Sequence, residues 1–413
     1  MDANKSFLID LFTTAVNACK PSDCMSKYLK NIDASNGLCV VGAGKAAAEM
    51  AAEVNRFYGD KCFGAVVTRY GYESDSDTGR IKVLSANHPT PDDNSLAAGK
   101  ALLELVKNNP ADIPILFIIS GGGSSLMCLP VDDVPFAKKQ ALNQFLLKSG
   151  ASVDEINVVR KQLSLVKGGK LAQAAKSDYV TLIISDVVGD KPSDIASGPT
   201  ISDNSTKADA LAILQKYNWP VINEIEAHLL KPEQPRAADT QGKHFIVANA
   251  QHAIDSAIDV AQHQGWDTQV LGYDIQGEAK EVARAHAKIA LEQKAQGKRV
   301  MLFSGGELTV TVADVYGDGG PNQEYLMALA EALNAEAGIY AIACDTDGVD
   351  GSKDVAGAYI NSSTIARALD AGENLHAQLE GHNSHQFFKA IDDLIITGPT
   401  NTNVNDFRVI VIE

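Results

Sequence analysis

The stretch Ile115-Leu116-Phe117-Ile118-Ile119-Ser120-Gly121-Gly122-Gly123-Ser124-Ser125-Leu126-Met127-Cys128-Leu129 decides how the rest of the chain is read. An apolar run of strand character breaks into consecutive glycines and serines, then turns apolar again. Gly121, Gly122 and Gly123 lack a Cβ, so backbone N–H groups there can approach a ligand closely, and Ser124 and Ser125 suit the mouth of a following helix. The unpaired donors and positive dipole end of a helix N-terminus favour phosphate or carboxylate. Ser120 to Ser124 are therefore a candidate phosphate cradle. A tight strand-to-helix turn without a ligand would read the same way. The spacing matches neither G-x-x-x-x-G-K-[ST] nor G-x-G-x-x-G, so the argument rests on whether the plan recurs.

It recurs upstream. Gly37 to Val41 reads as a strand, Gly42-Ala43-Gly44-Lys45 as a turn, and the alanine-rich segment after it as a helix. Gly42, Gly44 and Ala47 also satisfy G-x-G-x-x-A, which opens a dinucleotide reading. An NAD site would place an acidic residue at the end of the next strand, where Thr68 and Arg69 stand instead. Arg69 would suit a 2′-phosphate, whereas Lys45 inside the turn points to a phosphate contact. His88, in Asn87-His88-Pro89-Thr90-Pro91-Asp92, follows a third strand in a segment that prolines hold extended. A loop histidine is more often structural than catalytic, yet this one is placed to wall a site.

Composition bounds the alternatives. With 413 residues, 45% of them hydrophobic, the chain has material for two medium cores. Lys and Arg number 36 against 52 Asp and Glu, a formal charge of −16, which repels nucleic acid unless a local basic patch overrides it. The start, MDANKSFLIDLF, carries no long apolar stretch with a cleavage site, and no run approaches the roughly 20 residues of a membrane span. A cytoplasmic protein without membrane or nucleic-acid partners is the expectation. The six cysteines lack C-x-x-C spacing and read as buried free thiols.

Further on, Arg160, Lys161, Lys167 and Lys170 crowd the Gly168-Gly169 hinge. A basic helix face ending in a glycine cap is the plain explanation, but in an acidic protein such a cluster is informative. Lys167, Gly168 and Gly169 join the phosphate-site candidates. The strand Tyr179 to Ser185 delivers Asp186, with Asp190 shortly after; these carboxylates would cap a helix or bind Mg²⁺, which takes one or two carboxylates plus waters and phosphates. The linker Lys231-Pro232-Glu233-Gln234-Pro235-Arg236 divides the chain into expected domains 1–236 and 237–413. Strand and helix patterns then resume from His244.

Val300 to Glu307 reads as a strand ending in Ser-Gly-Gly-Glu, Leu308 to Ala313 as a second strand, and Pro321 as the opening of a helix. Ile339 to Cys344 is a strand releasing Asp345-Thr346-Asp347-Gly348-Val349-Asp350-Gly351. Counting from Asp345 puts Asp350 and Ala356 where an EF-hand needs Gly and Glu, so that calcium loop is excluded. Solvated turn aspartates, or a metal or general-base site, remain open for Asp347 and Asp350.

VGAGKAA, HPTPD, ISGGGSS, VRKQLSLVKGGKLA, SDVVGDKPSDIASGPT, SGGE, GGPNQE, DTDGVDG and GPTNTNVND occur in the order found in the class II glycerate kinases, whose C-terminal part is called the MOFRL domain. The chain resembles that family nearly end to end. The resemblance implies two α/β/α domains with largely parallel, Rossmann-like sheets, an active-site cleft between them, and ATP- and Mg²⁺-dependent phosphorylation of D-glycerate, typically to 2-phosphoglycerate. Carried over by motif, Lys45 is the catalytic lysine and Asp347 a catalytic carboxylate. On the mechanism this implies, Gly44 and the later glycine turns cradle ATP phosphates, Asp186 and Asp190 hold the metal, Arg160 takes the substrate carboxylate, and His88 and Asp350 line the substrate site. Many members have arginine where this chain has Pro321, which supplies neither charge nor N–H. Some relatives are labelled hydroxypyruvate reductase, which keeps an NAD(P)H-dependent enzyme as the alternative. A non-catalytic sugar-acid or nucleotide-binding protein is a third reading, and a homodimer is one assembly open to it.

Overall fold

The computed structural model describes residues 3–220, 223–233, 242–312 and 317–413. The chain forms two compact units, Cys24–Val247 and a second built from Met1–Asp23 with Ala248–Glu413. The linker division at 236/237 falls outside the described residues. The unit division differs from it chiefly at the chain start, where the helix Ala3–Ala18 packs with the helix Ala250–His263 and sets Phe12 against Phe407, ring centroids 5.9 Å apart. The buried face of that first helix, Leu8, Leu11, Phe12 and Ala15, thus serves the C-terminal core.

The Cys24–Val247 unit is built on β1 (Leu38–Ala43), β2 (Cys62–Arg69), β3 (Ile81–Ala86), β4 (Ile115–Ile119), β5 (Tyr179–Ile184) and β6 (Lys243–Ala248), in the order β3-β2-β1-β4-β5-β6. The pairings β2–β3, β1–β2, β1–β4 and β4–β5 are parallel. Every residue of β1 and β4 is buried, which explains why both read as unbroken apolar runs: helices cover both faces of such a sheet. The helix Asp93–Asn108 begins with a capping box between Asp92 and Ser95, and its Leu102, Leu103 and Val106 join Val41 and Phe117 in the core. From β1 the chain builds outward to β2 and β3, then returns to place β4 on the other side of β1. The order of winding therefore reverses between β1 and β4. In open α/β sheets that reversal leaves a crevice beyond the carboxyl ends of the two strands, where ligands bind.

The second unit holds β7 (Asp267–Glu278), β8 (Val300–Thr309), β9 (Ile339–Asp345), β10 (Gly357–Ile360), β11 (Leu394–Ile395) and β12 (Asp406–Ile412), in the order β11-β10-β9-β12-β8-β7. The α/β class holds, but the pairing differs from the largely parallel sheet expected. Among the described residues only β7–β8 is a parallel neighbour pair; β12 runs against both β8 and β9, and β10 against β9 and β11. Connection length accounts for the contrast between β7–β8 and β9–β10. A full crossover helix, Ala279–Ala295, separates β7 from β8, whereas the turn between β9 and β10 is too short to carry one. Nor do residues from Leu308 begin a second strand: Leu308 and Thr309 complete β8, residues 310–312 are not strand, and Ala313 lies outside the described residues. No helix among the described residues is long and apolar enough to cross a membrane.

β12 carries an unusual residue for a central strand. Arg408 is 1% exposed, paired in register with Ser304, and donates from Nη1 to Asp406 Oδ2 at 2.6 Å, from Nε to Ser304 Oγ at 3.3 Å and from Nη2 to the Gly305 carbonyl. Its guanidinium also lies 5.6 Å from the centroid of the buried Tyr325 ring. Removing one member of a buried pair leaves the other charge uncompensated. Arg408→Met should therefore lower stability by about 3–5 kcal/mol, read as a drop in the urea midpoint; a change within experimental error would show that Asp406 finds another partner.

Candidate functional site

The two glycine turns meet at the winding reversal. The N–H of Ser120 donates to the Ala43 carbonyl at 3.0 Å, Lys45 N–H to the Gly121 carbonyl at 2.8 Å, and Ala46 N–H to Ser120 Oγ at 3.0 Å. Gly44 has φ +141°, and a Cβ there would stand 2.1 Å from Ser120 Oγ. Only glycine lets the turns approach so closely. Two side chains from other strands' ends converge on the second turn. A Cβ on Gly122 (φ +79°) would meet His88 Nε2 at 3.1 Å and Lys45 Cγ at 3.5 Å, and one on Gly121 would collide with the Asp186 carboxylate. Lys45, His88, Gly121, Gly122 and Asp186, scattered over the sequence, thus share one spot at the carboxyl edge of the sheet. Lys45, His88 and Asp186 are each half-buried.

Several residues expected to contact phosphate are engaged elsewhere. Gly44 N–H donates to the Val67 carbonyl at 3.1 Å, and Ser120 is fully buried in the interlock just described. Gly168 and Gly169, both at positive φ, donate their N–H groups to the Ser197 and Gly198 carbonyls at 3.1 and 2.7 Å. These glycines shape the backbone and offer a ligand no donor of their own. Lys167 is 1% exposed, and its ammonium donates to the carbonyl and, at 3.0 Å, to the hydroxyl of Ser124. It sits behind the turn and holds Ser124 in place, and burial drives its pKa well down. The helix after the turn, Gly123–Leu126, is a single turn, so little macrodipole stands behind the cradle. What the turn presents is backbone: among the described residues the N–H groups of Gly121 and Gly122 meet no backbone carbonyl.

Ser124 is also tied laterally. Its Oγ lies 2.9 Å from Ser197 Oγ, which donates to Asn157 Oδ1 at 3.0 Å. Asn157 carried no role in the sequence reading; it and Ser197, within this tie, are 3% and 0% exposed. Arg160 lies against Asn143, Nε to Oδ1 3.4 Å; burial depresses the pKa values of Lys139 and Lys167, and the Arg160 charge adds to that effect. Asp190 occupies a turn at φ +52°, its N–H bonded to the Val187 carbonyl at 3.0 Å. Among the described residues no group of three or more His, Cys, Asp and Glu gathers around a common point. Arg69, the candidate for a 2′-phosphate, instead places its guanidinium 5.2 Å from the Tyr72 ring centroid.

In the second unit the acidic turn after β9 separates its carboxylates by role. Asp347, 3% exposed, accepts the Val349 N–H at 2.8 Å, and its own N–H donates to Asp345 Oδ1 at 2.9 Å. The loop Thr400 to Asn405 wraps this turn, with Thr346 Oγ1 donating to the Asn405 carbonyl at 2.7 Å and Thr400 Oγ1 to the Thr346 carbonyl at 2.6 Å. Asp350 is different. It is 1% exposed and caps the helix Pro321–Leu333, accepting the N–H groups of Asn322 and Gln323 at 3.0 and 2.9 Å and both their side-chain amides. Asp350, expected to line the substrate site, here accepts from the start of that helix through both of its oxygens. Pro321 opens that helix as expected, having no N–H that would need the cap.

Asn322 also donates to Asp406 Oδ1 at 2.6 Å, so Asp350, Asn322, Asp406 and Arg408 form one buried polar chain. The sequence signal for it was a charged residue inside the otherwise apolar strand DFRVIVI: a buried charge needs a partner.

This arrangement defines a class: a two-unit α/β protein with glycine turns at a topological switch point. Comparison with known proteins agrees. Residues 7–230 match the family described as "Domain of unknown function (DUF4147)" and residues 300–406 the "MOFRL family". A "Putative hydroxypyruvate reductase" of Agrobacterium vitis is 44% identical over 411 residues, 97% of this chain and 93% of that protein. The "D-glycerate 2-kinase" of Thermotoga maritima is 36% identical over 411 residues, 98% and 97% of the two chains. A crystal structure of glycerate kinase from Thermotoga maritima superposes with a TM-score of 0.91 at 35% identity, covering 100% of both chains. The chain belongs to the DUF4147–MOFRL family, which holds proteins bearing both names.

Burial pushes the Asp350 carboxyl up from 3.8 to about 6, against the pull of its N–H donors. Across that interval the folded protein keeps a proton that the unfolded chain has released. Stability contributed here therefore falls as pH rises from about 4 to about 6, by on the order of 3 kcal/mol, and is level above that. Denaturation midpoints across this window should lose that slope in Asp350→Asn; an unchanged slope would remove Asp350 as its source.

Proposed function

We propose that the protein is an ATP-dependent kinase that phosphorylates D-glycerate to 2-phosphoglycerate, or a closely related short hydroxy acid. The observation that carries this is the convergence of Lys45, His88 and Asp186 on Gly121 and Gly122 at the switch point. The names of the relatives in Thermotoga maritima and in Pyrococcus horikoshii, "Glycerate 2-kinase" at 36% identity over 419 residues, point the same way.

In this reading the reaction is in-line phosphoryl transfer, where positioning and electrostatics supply most of the rate. The substrate hydroxyl oxygen bonds to the γ-phosphorus as the bond to ADP breaks. The N–H groups of Gly121 and Gly122 receive phosphate oxygens, and Lys45 balances the charge that spreads over the transferred group. Asp347, in the other unit, is assigned to orient the hydroxyl and take its proton. Arg160, whose fork suits a carboxylate, is assigned to the glycerate carboxyl. His88 walls the substrate. A hard carboxylate oxygen beside a phosphate-type turn fits Mg²⁺, which is held by few protein ligands and keeps substrate phosphates in its shell. Asp186 is assigned to it, with Asp190 second. Bound there, Mg²⁺ supplies charge neutralisation at the phosphates. Lys167 and Ser197 act behind the turn through Ser124.

The alternative, NAD(P)H-dependent reduction of hydroxypyruvate, is favoured by the name of the 44% identical relative. Against it stands the packing of Gly44 on Ser120, which fills the place where a dinucleotide pyrophosphate would approach the Gly42-Ala43-Gly44 turn.

ADP release on adding D-glycerate and ATP, against NAD(P)H absorbance change with hydroxypyruvate, separates the two. Lys45→Ala should lower kcat by a factor of about 100 or more, equivalent to roughly 3 kcal/mol of barrier, with unaltered circular dichroism. A folded variant with most of its activity would exclude Lys45 from the transfer. Turnover should also vanish after exhaustive EDTA treatment and return with Mg²⁺, and undiminished activity in chelator would contradict the assignment of Asp186.

A further inference from the structure

The Cys24–Val247 unit contains a cavity of about 540 Å³ whose walls include Gln162, Ser164, Gly168, Lys170, Asp203 and Lys207, and none of Lys45, His88, Gly121, Gly122 or Asp186. Its size is that of a small-molecule site, roughly 300–1,000 Å³.

The charges around it are unequally satisfied. Asp203 accepts from Gln162 Nε2 at 3.3 Å and from Ser205, and pairs with Lys161 at 3.4 Å. At the rim, Asp133 accepts from His228 at 2.8 Å and from Lys231, and Glu233 accepts the Lys207 N–H at 2.6 Å. Asp132 is exposed. Lys170 is placed otherwise. Its half-buried ammonium donates to two neutral acceptors, the Lys161 and Ser164 carbonyls, both at 2.7 Å, and forms no ion pair among the described residues. Burial, with Lys139 and Lys207 adding to it, outweighs the opposing pull of Asp203 and Glu233 and brings its pKa down to about 8. A cation kept from bulk water on neutral acceptors, beside further cations, gains from an entering anion.

We infer that this cavity binds a small oxyanion metabolite, a carboxylate or phosphate ester, with Lys170 as its charge partner and Lys207 as a second donor. The site has a physical route to the glycine turn. Gly168 in its wall donates to the Ser197 carbonyl at 3.1 Å, and Ser197 Oγ meets Ser124 Oγ at 2.9 Å. An occupant touches the segment that supports Ser124, which makes it an effector of the proposed kinase. The effector role rests on that reading, whereas binding does not.

The test is calorimetric titration of the full chain with inorganic phosphate and, separately, malonate, at low ionic strength. At least one anion should bind the wild type; which one does distinguishes a phosphate from a carboxylate ligand. Lys45→Ala should keep the affinity within about twofold, Lys170→Met should weaken it about tenfold or more, and Lys207→Gln by about threefold. Binding lost in Lys45→Ala and kept in Lys170→Met would place the anion at the glycine turn and overturn the inference. So would failure of both anions to bind the wild type at roughly 10 mM. Should Lys170→Met fail to fold by circular dichroism, unchanged affinity in Lys207→Gln overturns it as well. Wild type that binds the anion but releases no ADP with D-glycerate would sink the kinase reading and leave the cavity assignment standing.

Discussion

The contact between Gly44 and Ser120 is the constraint on which the rest of the N-terminal site depends. Two strands that neighbour one another in a parallel sheet end in turns that must not collide, and here they interlock, through Ser120 N–H to Ala43, Lys45 N–H to Gly121 and Ala46 N–H to Ser120 Oγ. A side chain on Gly44 would occupy the space of the serine hydroxyl. Because the two turns are joined, Lys45 cannot shift without shifting the glycine loop beneath it. Pre-organisation of this kind is what lets a cation stabilise charge without reorganisation at the moment of reaction.

A second layer holds that first contact in place. Lys167 and Ser197 grip Ser124 from behind and from the side, and Asn157 holds Ser197. Buried polar chains of this sort stabilise one arrangement because each alternative leaves a group unsatisfied. The second unit uses the same device at larger scale, with Asp350, Asn322, Asp406 and Arg408 linking a helix start to the two halves of its sheet. There the chain fixes the segments on either side of the Asp345-to-Asp350 turn.

The sequence carried much of this in local form. Strand runs such as Leu38–Ala43 and Ile115–Ile119 are apolar throughout because they are covered on both faces, and glycines marked the turns that follow them. The motif order was enough to place the family. The pairing direction in the second sheet was not legible, since β12 inserts between β8 and β9 from the far end of the chain. Nor was the use of the glycines at 168 and 169. Their positive φ follows from residue type, but the carbonyls that take their N–H groups come from Ser197 and Gly198.

By itself, then, the sequence determined the α/β class, the position of the turns and the residue types able to handle an anion, because periodicity, glycine freedom and charge are properties of short segments. Only the tertiary structure decided which of those residues gather at the edge of the sheet and which serve the frame. Lys45, His88 and Asp186 were brought to one spot by the order of strands, while Lys167, Ser120 and Asp350 were drawn into the interior by partners distant in sequence. A donor or carboxylate carries the same chemistry in either place. What separates the roles is the competing hydrogen bond, and that bond exists only once the chain has folded.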